Sequence, residues 1–405
     1  MNKKLKVLAS ALSLLLVSAT LAGCGNSSSS GTTQGGKLPT GKTITISTYW
    51  TEEIPQLTKE AQAWAKETGN SVKVIKDTDS DFSKLIVAAK SAEAPDVVIG
   101  VPHDRIGSFA KAGILQAAPA GQINASDYIS NEVVQAGEYD GKQYGVPFFT
   151  ETYALFYNKD KVKDVPKTWD DLLTDAKADG GFEYDLNKLY FSYPLLANNG
   201  AYIFKNDNGK LDPKNIGLDK SAPGFQMMQD IINKGIMTAS VTGDIAKGDF
   251  QSGKTAFYIS GPWDVDSLRK AGVNFGIAKL PNINGNPAQS FMGVQTGVVL
   301  KNTKNSALDW DLMKYLSQND NIAAIGKVGN RIPAKKGITV PDASLQGFAD
   351  QMKSAVPMPN IPEMSPVWTA ASSVLQLVTT EKMTPAAAAA KFQSDVKSGI
   401  NTMSN

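Results

Sequence analysis

Apolar and polar positions change rhythm several times between residues 44 and 101. The stretch "ITIS" at 44–47 is β-prone, and "QLTKEAQAWAKETG" then sets Leu57, Ala61, Trp64 and Ala65 at helical spacing with Gly69 as a stop. "VKVI" at 72–75 returns to strand, and a second helix is expected from about Asp81 to Ala92. "DVVIGV" at 96–101 is a continuous apolar run, suited to a strand covered on both faces. The order β-α-β-α-β predicts a parallel sheet with right-handed crossovers. Farther on, "GKQYGVPFFTETYALFYNKD" at 141–160 reads as extended segments around a turn, and Thr168 caps a helix opening at "WDDLL". More helices and strands run to about residue 292, among them the strand "TAFYIS" at 255–260. Thr384 and Pro385 start a helix through the alanines 386–390, to which no function is assigned. The fold class is α/β, and 405 residues are more than one hydrophobic core usually spans, so two domains are expected.

The first 23 residues break from this pattern. Lys3, Lys4 and Lys6 precede an uncharged run from Val7 to Val17, too short to cross a bilayer, and small residues follow at Ala19, Ala22 and Gly23. This is the layout of a secretory signal, and its end, "LAGC", resembles the lipobox of bacterial lipoproteins. The resemblance implies cleavage after Gly23 and acylation of Cys24, which would anchor the chain to the outer face of the cell membrane. A stray thiol in a discarded signal is the alternative; with no second cysteine in the chain, Cys24 has no internal disulfide to make. Residues 24–41 are rich in Gly, Ser and Thr and read as a flexible tether. Removing three lysines and no acid turns 41 basic against 39 acidic residues into 38 against 39, a formal charge of −1 instead of +2. A near-neutral mature chain argues against a nucleic-acid partner.

Chemistry is sought first at strand ends, where open α/β sheets bind ligands. "TYWTEE" at 48–53 follows the first strand and "PHDR" at 102–105 the third, so Tyr49, Trp50, Glu52, Asp104 and Arg105 are expected to face one crevice. "GPWDV" follows the strand at 255–260 in the same way. A second α/β unit with such groups suggests a cleft between domains.

Three motifs invite other readings. "GDFQSGKT" at 248–255 matches a phosphate loop letter for letter, but that loop needs a strand before it and a helix after it, the reverse of the order expected here, so Gly253 is read as a turn. "DTDSD" spaces Asp77, Asp79 and Asp81 like a calcium loop, yet Phe82 stands where glycine is required and Ala88 where glutamate is required. Asp81 stays a candidate for the cleft rim. His103, the chain's only histidine, has no second His or Cys beside it for zinc and no strained nucleophile elbow to serve, so it is read as structural, with no metal and no cofactor expected.

Six segments in order resemble the maltose/maltodextrin-binding proteins, the extracytoplasmic solute-binding components of carbohydrate ABC importers: "APDVVIG" with "HDRIGSFAKAGIL", "YGVPFFTETYALFYNKD", "PKTWDDL", "LYFSYPLLANNGAYIFK", "SGPWDV" and "MPNIPEMSPVW". The resemblance implies a two-lobed, periplasmic-binding-protein-like clamp, each lobe a mostly parallel sheet flanked by helices and joined by a hinge. Residues 42–149 with 296–340 would form the first lobe, and 153–292 with 344–405 the second. It implies a monomeric, non-enzymatic receptor whose partners are a maltooligosaccharide and the membrane permease subunits.

Position by position, the resemblance makes Asp104, Arg105 and Glu151 the polar grips on sugar hydroxyls and Tyr190, Trp263 and Trp368 the aromatic platforms. The chain departs from the family at Tyr49, Trp50, Thr51 and Glu52 after the first strand, at Val101 in place of an aromatic, at Lys188 in place of a glutamate and at Ser372 in place of an arginine. Trp50 is expected to supply a replacement stacking surface. Two alternatives stand beside this reading: a receptor for cyclodextrin or galacto-oligosaccharide, and a glycoside hydrolase using Asp104 and Glu151 as its carboxylate pair.

Overall fold

The alternation of Thr43–Thr48 (β1) turns Ile44 and Ile46 into the core of the computed structural model. The model describes residues 38–403 except 80, 81, 83, 208, 209, 340 and 341; the signal segment, Cys24, the tether as far as Lys37, and Asp81 lie outside the described residues. Helix Ile54–Thr68 buries Leu57, Ala61, Trp64 and Ala65, the expected positions. Gly69 ends it at φ +69°, a left-handed conformation open to glycine without a Cβ clash. Strands β2 (Ser71–Lys76) and β3 (Val97–Pro102) pair with β1 in parallel, Thr43 opposite Ser71 and Ile46 opposite Val97.

The helix expected over 81–92 shrinks to one turn, Leu85–Ala88. Only Phe82, Leu85 and Ala89 reach the core there while Val87 is 76% exposed, so packing supports no longer helix.

A short hairpin, β4 (Glu138–Tyr139) and β5 (Lys142–Gln143), leads to β6 (Val146–Glu151) of the first sheet. The chain crosses at Thr152 and Tyr153 into a second sheet. There β7 (Ala154–Asn158) and β8 (Phe182–Glu183) come first, a separate hairpin of β9 (Lys205–Asp207) and β10 (Lys210–Asp212) follows, and β11 (Phe257–Ser260) and β12 (Phe275–Ala278) complete the order β12-β7-β11-β8. It returns as β13 (Phe291–Val299), which is buried at every position and lies between β3 and β6, antiparallel to both. Last, β14 (Ile332–Pro333) joins β6 and β15 (Val356–Pro357) joins β13, giving the first sheet the order β14-β6-β13-β3-β1-β2 with β15 at its side.

The change of lobe expected between 292 and 296 lies within β13, one continuous strand, and Val356 and Pro357 pair with its first two residues, Phe291 and Met292. The crossings are tied together where Thr152 donates its hydroxyl to the Phe291 carbonyl at 2.8 Å and lies 2.7 Å from the Ser290 hydroxyl. Each sheet has its own core. Ile46, Ile99 and Phe148 pack on one face of the first sheet, Val98, Val101 and Val298 on the other, and Leu155, Phe257 and Phe348 in the second. Helices Met364–Thr379 and Pro385–Met403 pack into the second core through Val374, Val378, Ala388, Ala389 and Phe392. The segment "GDFQSGKT" spans helix Gly243–Gln251, a turn with Gly253 at φ +71°, and the approach to β11, in the expected helix-then-strand order.

One acid is buried by this packing at a proton's cost. The Thr303 hydroxyl lies 2.6 Å from Asp309 Oδ2 and 2.7 Å from Asp96 Oδ1, and it has one hydrogen to give. The other contact needs a protonated carboxyl, and Asp309, with 0% of its surface exposed, is pushed up to about 7 by burial. A folded-state pKa raised above the unfolded value favours the fold at low pH, an advantage lost as pH rises from about 4 to about 7. The melting temperature of the wild type should therefore fall over that window relative to Asp309→Asn; parallel curves would contradict a protonated Asp309.

Candidate functional site

Strand β3 ends at Pro102 (φ −62°, ψ 136°), and a 3₁₀ turn, His103–Arg105, carries the chain into helix Ile106–Lys111. His103 is fully buried. Its Nδ1 accepts from the Val294 amide at 3.0 Å, so Nε2 bears the hydrogen and donates to the Met358 carbonyl at 2.9 Å. Burial pushes its pKa down and keeps the ring neutral. The histidine thus pins the turn to β13 and to the segment after β15, as a structural residue should, and fixes where Asp104 and Arg105 emerge.

Glu151 closes β6 with both oxygens occupied. Gln295 Nε2 donates to Oε1 at 2.7 Å and Arg331 Nη1 donates to Oε2 at 3.1 Å. Arg331 Nε also donates to Glu53 Oε1 at 2.7 Å, and the Tyr49 hydroxyl donates to Gln295 Oε1 at 3.1 Å. Burial raises the pKa of Glu151, Glu53 and Asp104 add to the rise, and Arg331 and the Gln295 bond oppose it. One lone pair remains on each Glu151 oxygen for a further donor.

The aromatic residues form a continuous wall. Tyr190 stacks on Phe291 with centroids 6.2 Å apart, lies 6.5 Å from Trp263, and Phe291 meets Trp368 edge-on at 6.1 Å. The "GPW" order has a steric reason: a Cβ on Gly261 would come within 2.1 Å of the Trp263 ring. Asp264 fixes that turn by accepting from the Tyr258 and Ser260 hydroxyls at 2.8 and 2.6 Å and pairing with Lys247 at 2.7 Å. Trp368 Nε1 donates to Asp104 Oδ2 at 3.0 Å, joining the aromatic wall to the turn after β3. The Tyr190 hydroxyl is buried without a hydrogen-bond partner, and its pKa is raised by burial and by the nearby Glu151, Tyr49 and Asp104. The tyrosine hydroxyl therefore lies near these acids, while its ring joins the wall that reaches Asp104 through Trp368.

Of the nine ligand-binding residues expected from the sequence, seven gather at this centre: Tyr49, Asp104, Arg105, Glu151, Tyr190, Trp263 and Trp368. Two do not. Trp50 is only 1% exposed, packed on Phe149 at 5.6 Å within the core of the first sheet, so it has no face to offer a ligand. The Arg331 guanidinium carbon lies over its ring, 5.2 Å from the centroid. Glu52 is exposed and pairs with Lys270 at 3.4 Å. Val101 is likewise no rim residue: it points into the core beside Ile106 and Phe109, and Lys188 and Ser372 are exposed. Arg331, Glu53, Gln295 and Phe291 were not found from the sequence. No spacing marks Arg331 in "GNRIPA", and only the surplus of acids around Glu151 calls for a cation.

Carboxylates accept from vicinal hydroxyls, a guanidinium donates in a fixed fork, and flat rings take the C–H face of a sugar. Both acids here receive hydrogen bonds from fixed donors, which holds them as acceptors.

Residues 59–346 match the family model described as bacterial extracellular solute-binding protein. The chain is 32% identical over 391 residues to the galactooligosaccharide-binding protein of Bacillus subtilis (strain 168), covering 91% of each. It is 34% identical over 342 residues to the maltooligosaccharide ABC transporter solute-binding lipoprotein of Streptococcus pneumoniae (strain ATCC BAA-255 / R6), covering 78% of this chain and 79% of the relative. Among solved structures, the maltose-maltodextrin binding protein of Alicyclobacillus acidocaldarius superposes with a TM-score of 0.83 at 35% identity, over 88% of this chain and all of that one.

The histidine geometry makes a stability prediction. His103→Leu strands a buried amide and a buried carbonyl and should cost about 2–5 kcal/mol in urea unfolding. A loss below about 1 kcal/mol would mean that these bonds do not hold the turn.

Proposed function

The chain belongs to the family of bacterial extracellular solute-binding proteins, as an oligosaccharide-binding component of an ABC transporter, and on that premise we propose that its ligand is a maltodextrin. The observation that carries this reading is the meeting of the Tyr190–Phe291–Trp368 wall with Asp104 and Glu151 at one centre, since a glucan chain offers both C–H faces and rims of hydroxyls. The seven gathered residues grip the sugar: Asp104 and Glu151 accept, Arg105 and the Tyr190 hydroxyl donate, the Tyr49 hydroxyl, its hydrogen held by Gln295, accepts, and the rings of Tyr190, Trp263 and Trp368 stack. Relatives named for maltooligosaccharide and maltodextrin support the choice of sugar. The loaded receptor acts as a monomer and delivers its ligand to membrane permease subunits from outside the cytoplasm. Cys24 is its acylated anchor, a reading supported by the "LAGC" order and by the name of the pneumococcal lipoprotein.

A second reading has one specific observation behind it: the B. subtilis galactooligosaccharide-binding relative matches over 91% of each chain. Calorimetry with maltotriose and with a galacto-oligosaccharide of equal length separates the two. Tighter binding of the galacto-oligosaccharide would overturn the maltodextrin assignment. Trp263→Ala should weaken maltotriose binding by about 1–3 kcal/mol, the range found when one flat stacking surface is removed, and an unchanged dissociation constant would remove Trp263 from the site.

A further inference from the structure

We propose that Arg331, clamped between Glu53 and the ring of Trp50, is the positioning residue that keeps Glu151 ionised and correctly turned for the ligand; this rests on the reading of the cleft as an oligosaccharide site. Three contacts fix the guanidinium. Its Nε edge is spent on Glu53 at 2.7 Å, its Nη1 on Glu151 at 3.1 Å, and its face on the Trp50 indole at 5.2 Å. A planar fork held at two edges and one face has a single orientation, which a lysine ammonium could not reproduce. Glu151 is turned by two donors, Arg331 at one oxygen and Gln295 at the other, and Gln295 is itself oriented by accepting from the Tyr49 hydroxyl. Trp50 thus serves the site from inside the core, as the platform of the residue that holds the acid.

The charges around Glu151 make this clamp necessary. Glu53 at the start of helix Ile54–Thr68, Asp104 on the turn after β3, and the Tyr49 and Tyr190 hydroxyls all face it, while Arg331 is the cation in contact with it and Arg105 lies beside Asp104 at 3.6 Å. Two buried carboxylates therefore share one guanidinium, and what Glu53 takes from Arg331 is withheld from Glu151. An ionised carboxylate accepts a hydroxyl hydrogen bond more strongly than a neutral carboxyl. Affinity should consequently decline on the acid side as Glu151 takes up a proton.

The test is the acid limb of maltotriose affinity, measured by calorimetry on the mature chain from about pH 4.5 to 8. In Arg331→Gln the limb should move up by about one pH unit or more, with affinity at pH 6 down by about tenfold. Glu53→Gln keeps an acceptor for Arg331 Nε and removes the competing charge, so its limb should move down, in the opposite direction. Arg331→Lys should leave the limb near its wild-type position and weaken binding at every pH. If Arg331→Gln fails to fold, Glu53→Gln alone decides. A limb that stays in place in Glu53→Gln, or moves up, overturns the proposal while leaving the oligosaccharide reading intact. A wild-type chain that binds neither maltotriose nor a galacto-oligosaccharide overturns both.

Discussion

A charge withdrawn from water must find an opposite charge close by, and in this molecule that requirement converges on Arg331. The residue lies where β14 meets β6, and it answers two acids brought in by distant parts of the chain, Glu53 from the loop after β1 and Glu151 from the end of β6. Breaking such a buried pair from one side typically costs about 3–5 kcal/mol because the remaining charge has nowhere to go. The first sheet, the start of its leading helix and the polar half of the cleft are therefore held in register by one guanidinium. His103 does comparable neutral work within the same sheet, joining the turn after β3 to β13 and to the segment after β15.

Much of this was legible in the sequence where the signal is local. The 3.6-residue spacing of Leu57, Ala61, Trp64 and Ala65 named the buried face of a helix, and the apolar run at 96–101 named a central strand. Strand ends then pointed to Asp104 and Trp263, because a strand's carboxyl end and the turn that follows it are written contiguously. The rest depended on partners far apart in the chain. Trp50 follows β1 just as Tyr49 does, but which of two neighbours turns inward is decided by Phe149 and Arg331, 99 and 281 positions away. Arg331 had no neighbour in sequence to give it meaning. The helix expected over 81–92 failed for a related reason: its propensity was adequate, but tertiary burial was offered to one turn only.

Apart from Phe291 of β13, the aromatic half of the cleft comes from the second core, and it nevertheless touches the polar half carried by the first sheet. Trp368 belongs to a helix packed in the second core, and its indole N–H meets a carboxylate on the turn after β3. Binding groups that already satisfy one another enter an encounter in defined rotamers, so less side-chain entropy is lost when a ligand replaces or joins those bonds.

The single histidine has a consequence for how the molecule meets its surroundings. It is sealed in the interior and neutral, and the chain has no other, so the outer surface lacks the side chain whose ordinary pKa falls between 5 and 8. The charge pattern presented to other molecules stays nearly constant across that range. Responses to acidification then rest on carboxyls whose pKa burial raises, Asp309, Glu151, Glu183 and Asp185, rather than on imidazoles at the surface.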